Sequence, residues 1–174
     1  GNLYGAIFFY KQALQMGLKP IIGCEVYVCP DHTDKTSERR ETNHLVLLAQ
    51  NLTGYHNLVQ LVSKGALYGF RYRPRVDKKL LARHSEGLIA LSACLAGEIP
   101  RAINQQGMDS ALALVNDYRG IFPERFFLEI QVNGLPEQKT ANEGLLSLAE
   151  RTGTPLVASN DCHYLLKEDH EAHD

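Results

Sequence analysis

The chain has 174 residues, 44% of them apolar and 22% charged, with 14 Gly and 7 Pro, a composition that supports one sizeable core and excludes disorder and fibrous repeats. Eighteen Lys and Arg against 20 Asp and Glu give a formal charge of −2, so no global positive field holds the chain on nucleic acid or on a membrane.

From Asn2 the segment NLYGAIFFYKQALQM repeats Leu3, Ile7, Tyr10 and Leu14 at helical spacing, with Asn2 as cap and Gly17 as stop. After Pro20, IIGCEVYVC is a run of β-branched and aromatic residues, the pattern of a buried strand, with Glu25 inside it. Residues 30–42 are polar and rich in turn formers, which predicts an exposed, mobile loop with no apolar anchor. HLVLLAQ, opening on His44, predicts a second strand, and Thr53 then caps a helix carrying Tyr55, Leu58, Leu61 and Val62 to about Gly65. FRYRPRVDKK is basic and aromatic. LIAL from Leu88 to Leu91 predicts a third strand, and helices follow from about Ile99 to Gln106 and from Asp109 to Ile121. RFFLEIQV is a fourth strand, Glu137 to Arg151 a helix, and PLVASNDCHYL a fifth strand with its exit.

Strands thus alternate with helices and are apolar along their length, which predicts an α/β fold with a parallel sheet covered on both faces. In such folds chemistry gathers at the carboxyl ends of the strands. GxGxxG, GxxxxGK[ST] and GxSxG are absent, which removes the main support for Rossmann, P-loop and α/β-hydrolase readings.

Glu25 among apolar strand residues needs a compensating partner, an arginine across the sheet or a cation. His44 opens a strand and Cys94 closes one; alone, each reads equally as an edge histidine and a small apolar residue. Asp161-Cys162-His163 is the strongest local signal, because period two puts Asp161 and His163 on one face at a strand exit, where a carboxylate and an imidazole can grip a metal. An incidental capping Asp beside a His is the alternative. Glu129 alternates with Phe127 and either faces the cavity of Glu25 or makes a salt bridge. His32, His56, His84, His170 and His173 read as solvated. The mixed N, O and S set suits Zn²⁺, Mn²⁺ or Fe²⁺. Arg71, Arg73 and Arg75, interleaved with Phe70 and Tyr72, could contact phosphates and bases, or form a solvated basic loop. The four cysteines, Cys24, Cys29, Cys94 and Cys162, form no CxxC and read as reduced. Neither a run of ~18 apolar residues nor a secretion-type leader pattern occurs in these residues, so the expectation is a cytoplasmic protein. The opening Gly-Asn and the close at Glu-Ala-His-Asp lead us to expect a piece of a longer chain.

The blocks GNLYGAIFFYKQALQMGLKPIIGCEVYV, HLVLLAQNLTGYHNLVQLVS, GLIALSACLAGEIPR, GLPEQ and LVASNDCHYL, in that order, closely resemble the PHP (polymerase and histidinol phosphatase) domain of bacterial replicative DNA polymerase α subunits. The resemblance implies a distorted (β/α)7 barrel with mostly parallel strands, here a single partial domain over residues 1–174 that lacks the family's first strands with their H-x-H and Asp-His ligands. It also implies that Glu25, His44, Cys94, Asp161 and His163 are metal ligands, with Glu25 and Asp161 in catalytic roles and zinc or manganese as the ion. The implied activity is metal-dependent phosphoester hydrolysis, as a 3′–5′ exonuclease or on pyrophosphate. The implied partners are primer-template DNA, the other polymerase domains and a separate proofreading exonuclease subunit. A non-catalytic scaffold docking that subunit and a histidinol-phosphatase-like enzyme are the alternatives. Without the preceding strands, an apolar edge near Ile21, Ile22 or Val26 is expected to promote self-association.

Overall fold

A computed structural model describes residues 1–36 and 42–173. Its order is α1 (Ala6–Gln15), β1 (Gly23–Val28), β2 (Asn43–Ala49), α2 (Leu52–Leu67), β3 (Arg75–Val76), α3 (Lys78–Arg83), β4 (Leu88–Leu91), α4 (Glu98–Gln105), α5 (Met108–Ile121), β5 (Phe126–Gln131), α6 (Pro136–Thr152), β6 (Leu156–Ser159) and α7 (His170–His173). The six strands form one sheet in the order β3-β1-β2-β4-β5-β6. The fold is α/β with a mostly parallel sheet, as the alternation of strands and helices predicts.

The parallel pattern is broken at one strand. β2 runs antiparallel to both β1 and β4, whereas β1 with β3, β4 with β5 and β5 with β6 are parallel. The reason is visible between β1 and β2, where the sequence holds a polar segment and no apolar helix, so the crossover that a parallel pair needs is missing. Nor are both faces of β1 apolar. Cys24, Val26 and Val28 are buried while Gly23, Glu25 and Tyr27 are only half-buried. The sheet therefore has two unlike faces. One, built from Val26, Val28, Leu45, Leu47, Leu88, Ala90, Phe126 and Leu128, packs into the core with Leu58 and Leu61 of α2, Val115 and Tyr118 of α5, and Leu145 and Leu148 of α6. The strand register sets Glu25 opposite Val46, His44 opposite Tyr27, Val46 opposite Leu91 and Leu91 opposite Phe127, so these side chains, with Glu129 two residues on, share the other face.

Local details depart from expectation in instructive ways. Helix α2 is capped by Asn51, whose Oδ1 accepts the Gly54 N–H at 2.9 Å, not by Thr53, because the chain turns two residues earlier. The predicted face of α1 is largely outward: Ile7 is 58% and Leu14 53% exposed, and only Ala13 is buried. Gly17 ends this helix at φ +70, the left-handed conformation in which a glycine bears no Cβ penalty. The described half of the 30–42 loop is anchored after all, by polar contacts rather than apolar ones. Arg75 Nη2 donates to the carbonyl of Asp34 at 2.8 Å and Lys35 Nζ to that of Phe70 at 2.9 Å; residues 37–41 lie outside the described residues. Val26 is 3% exposed, so of the three residues named for an apolar edge it belongs to the core, while Ile21 is 60% exposed. No described helix is long and apolar enough to cross a membrane.

Helix α2 approaches β4 so closely that a Cβ on Gly54 would sit 1.8 Å from the Gly87 carbonyl oxygen. Gly54→Ala should therefore cost about 3 kcal/mol through forced separation of α2 from the sheet. Gly120, exposed in α5 with nothing within 4 Å of a built Cβ, should gain about 0.5–1 kcal/mol on change to Ala. Urea denaturation midpoints of the two variants should move in opposite directions.

Candidate metal centre

Glu25 projects from the middle of β1 and His44 from the first turn of the ladder of β2. Because β2 is reversed, its amino end lies beside the carboxyl end of β1, and Glu25 Oε1 meets His44 Nδ1 at 3.1 Å. Cys94 arrives from the exit of β4, with Sγ 3.6 Å from the same ring nitrogen. A backbone N–H of His44 donating to Ala96 at 2.9 Å ties β2 to that exit. Ala93, immediately before the cysteine, holds φ +62 while 2% exposed, a left-handed turn that costs a non-glycine residue about 1 kcal/mol and bends the chain out of the strand.

The carboxylate, imidazole and sulfur of Glu25, His44 and Cys94 offer donor atoms all within 4.8 Å of one another. Tetrahedral zinc with nitrogen at about 2.05 Å and sulfur at about 2.3 Å separates those donors by about 3.6 Å, and nitrogen from oxygen by about 3.3 Å. The donor set fits a divalent ion in both chemistry and spacing. Asp161 and His163 stand at the exit of β6, at the same end of the sheet but outside that compact trio. Asp161 has φ +50, a conformation Asp tolerates, and its carbonyl lies 2.8 Å from His163 Nδ1. Both side chains are exposed, 37% and 53%. His163 is nonetheless near enough to help lower the Glu25 pKa electrostatically.

The hydrogen bond from His44 holds the Glu25 carboxyl below the ordinary carboxylate range, against partial burial that acts the other way. His44 is raised to about 9, first by its hydrogen bond with Cys94 and next by that with Glu25, both exceeding the opposing burial.

The basic segment is not the loop its sequence suggests. Arg75 belongs to β3, is 5% exposed, and commits its guanidinium to the carbonyls of Gly69 at 2.9 Å and Asp34 at 2.8 Å, so it is unavailable for nucleic acid. Lys78 pairs with Glu98 at 3.1 Å and Asp117 at 3.3 Å. Arg71 is half-buried beside the turn at Tyr72. Arg73 alone of the three arginines is exposed, with its guanidinium 4.7 Å from the centre of the Tyr27 ring. Tyr27 in turn meets the His44 ring edge-on at 5.3 Å.

Two of the remaining histidines are not solvated. His32 Nδ1 lies 2.6 Å from Asp77 Oδ2, and His84 packs against Lys64 at 2.8 Å, with burial and then that lysine lowering its pKa. Asp31, His32 and Asp77 also lie close enough to hold an ion, but Asp77 already caps α3 through the Leu80 N–H at 2.8 Å and binds His32. Burial opposes ionisation of Asp77, yet the bonds from His32 and Leu80 prevail and keep its carboxyl low. That trio is an anchor for the loop.

A model of the PHP domain matches residues 1–133. The chain belongs to the PHP domain family. It is 48% identical over 178 residues to the DNA polymerase III subunit alpha of Thermus aquaticus and 46% identical over 178 residues to that of Treponema pallidum, in each case across 100% of this chain. It spans about 15% of the length of these curated relatives. Glu25, His44 and Cys94 fall inside the matched PHP region; Asp161 and His163 follow it.

In the metal-free chain, a histidine raised from 6.5 to about 9 on folding contributes stability that is complete below its unfolded value and disappears as pH rises through about 9. The His44 ring resonances should titrate near that value. Glu25→Gln should move the midpoint back toward 6.5 and flatten the stability loss between pH 7 and 9 in chemical denaturation.

Proposed function

We propose that residues 1–174 form a single partial PHP domain, of barrel type, within a longer bacterial replicative DNA polymerase α subunit. In this reading Glu25, His44, Cys94, Asp161 and His163 hold divalent ions, zinc or manganese, and the site hydrolyses a phosphoester, removing the 3′-terminal nucleotide of a primer strand. The observation that carries it is the convergence of Glu25, His44 and Cys94, three different donor chemistries, within 4.8 Å at one end of the sheet.

When bound, the ions would supply Lewis-acid polarisation of the phosphoryl group and activation of water. The chain's own residues do the rest. Glu25, kept ionised by His44, would hold an ion through its carboxylate, and Asp161 would add a second negative group from the exit of β6. His44 must give up the proton it holds in the metal-free chain, so ion uptake is coupled to proton release. The sulfur of Cys94 favours zinc over harder ions. Arg73, exposed over Tyr27 beside His44, is positioned to bind a phosphodiester. Val46, Leu91 and Phe127, on the same sheet face, keep the floor of the site apolar. DNA reaches the site through the rest of the polymerase, in the bacterial cytoplasm.

A scaffold role beside or instead of catalysis draws on a separate observation. Helix α1 exposes Phe8 at 72%, Phe9 at 52% and Met16 at 72%, an apolar surface fit for another polymerase domain or for the proofreading exonuclease subunit.

Nuclease assays on the intact polypeptide, with the polymerase site inactivated, test the proposal. Hydrolysis of a primer terminus should disappear with chelator and return with Zn²⁺ or Mn²⁺, and His44→Ala or Cys94→Ser should reduce it at least about 100-fold. Arg73→Ala should raise KM for DNA with little change in kcat and reduce the salt dependence of binding. No hydrolysis by the polypeptide alone, with binding of the proofreading subunit retained in a separate pull-down, would leave the scaffold role alone.

A further inference from the structure

Glu129 is a carboxylate that the centre described above does not use. It lies in β5, on the sheet face shared by Glu25 and His44, and is 4% exposed. A carboxylate is a costly group to bury unless its partners require it. Its Oε1 accepts the hydroxyl of Ser159 in a short hydrogen bond and lies 3.4 Å from Gln131 Nε2. Its backbone N–H donates to Ser92 Oγ at 2.8 Å. Its Oε2 is buried with no hydrogen-bond partner among the described residues, so a side chain suited only to packing would not be a carboxylate here.

The two serines give the arrangement its meaning. Ser92 stands two residues before Cys94 at the exit of β4, and Ser159 stands two residues before Asp161 at the exit of β6. Glu129 lies on the strand between them and grips both. Gln131 Nε2 adds a bond to Ser159 Oγ at 3.2 Å, and its backbone carbonyl is held by Asn142 of α6 at 2.7 Å. β6 is an edge strand, exposed or half-exposed along its length and laddered on one side only, to β5, with Gln131 opposite Ser159, so its side-chain contacts weigh heavily at the exit.

We propose that Glu129 is a positioning residue: by holding Ser159 through its carboxylate and Ser92 through its amide, it sets the exit that carries Asp161 and His163 against the exit that carries Cys94. This rests on the reading of those residues as metal ligands. The clamp is a property of the metal-free fold and makes its own demands on β6.

The test uses the intact polypeptide with Glu129→Ala and Ser159→Ala, and the conservative pair Glu129→Gln and Ser159→Thr, which keep an acceptor and a hydroxyl. Deuterium uptake of the metal-free peptide spanning 156–164 should rise about 5-fold in both alanine variants, the equivalent of one lost hydrogen bond, and return to the parent level in the conservative pair. Co²⁺ titration, read by the sulfur-to-cobalt absorption band, should show about 10- to 100-fold weaker binding in the alanine variants and near-parent binding in the conservative pair. Unchanged uptake at 156–164, or unchanged Co²⁺ affinity and spectrum in both alanine variants, overturns the proposal. If the parent protein shows no such band, or keeps it in Cys94→Ser, the ligand reading fails instead, and raised uptake still upholds the clamp on β6.

Discussion

The centre depends on one strand running the wrong way. Side chains at the start of a strand ordinarily lie at the opposite end of a parallel sheet from those at the finish of its neighbours. Reversal of β2 brings its first residues to where β1 and β4 end, and His44 touches both Glu25 and Cys94. A helical crossover inserted between β1 and β2 would turn β2 around, send His44 to the far end and leave a bare carboxylate and a thiol. The polar segment linking these strands matters because its sequence offers no apolar face for a crossover helix, and the Arg75 and His32 contacts hold its described half.

Much of this could be read without coordinates. Helices α1, α2, α4, α5 and α6 and five of the six strands follow from periodicity and turn residues, since each is long enough to show its own pattern; the six-residue α3 and four-residue α7 are not. What escaped were features whose cause lies elsewhere in the chain. β3 is two residues long, too short for any period, and exists because Tyr27 and Val28 offer it a partner. The direction of β2 was misjudged because apolar content speaks of burial and not of orientation. Outward exposure of α1 escaped for a similar reason, as spacing shows that a face exists and not what meets it.

The candidate site residues stand out in the sequence for a different reason. Glu25, His44, Cys94, Asp161 and His163 each interrupt or end an apolar run, where an ionisable or sulfur group needs an explanation. Spacing alone could not show that three of them close into one trio while Asp161 and His163 stay at its margin. The arginines illustrate the limit of counting charge. Arg71, Arg73 and Arg75 look equivalent on the page, but alternation about a tight turn and a two-residue strand assigns one to the interior and one to the surface. The serine at each flanking strand exit gives no sequence signal: the left-handed turns at Ala93 and Asp161 break the strand period there, and a hydroxyl raises no alarm until its partner is known.

The unlike faces of the sheet have a consequence for how the protein tolerates variation. Along β1 the even-numbered positions Cys24, Val26 and Val28 face the core and the odd-numbered Glu25 and Tyr27 face the centre. Neighbouring codons therefore answer to different constraints: loss at one empties the core and reduces the amount of folded protein, and loss at the next acts first on the Glu25 and His44 pairing at the carboxyl end of the sheet. In a saturation library scored separately for abundance and for metal binding, the two maps would interleave residue by residue along β1, and would merge at Glu129 and Gln131 of β5, which are buried on the centre face.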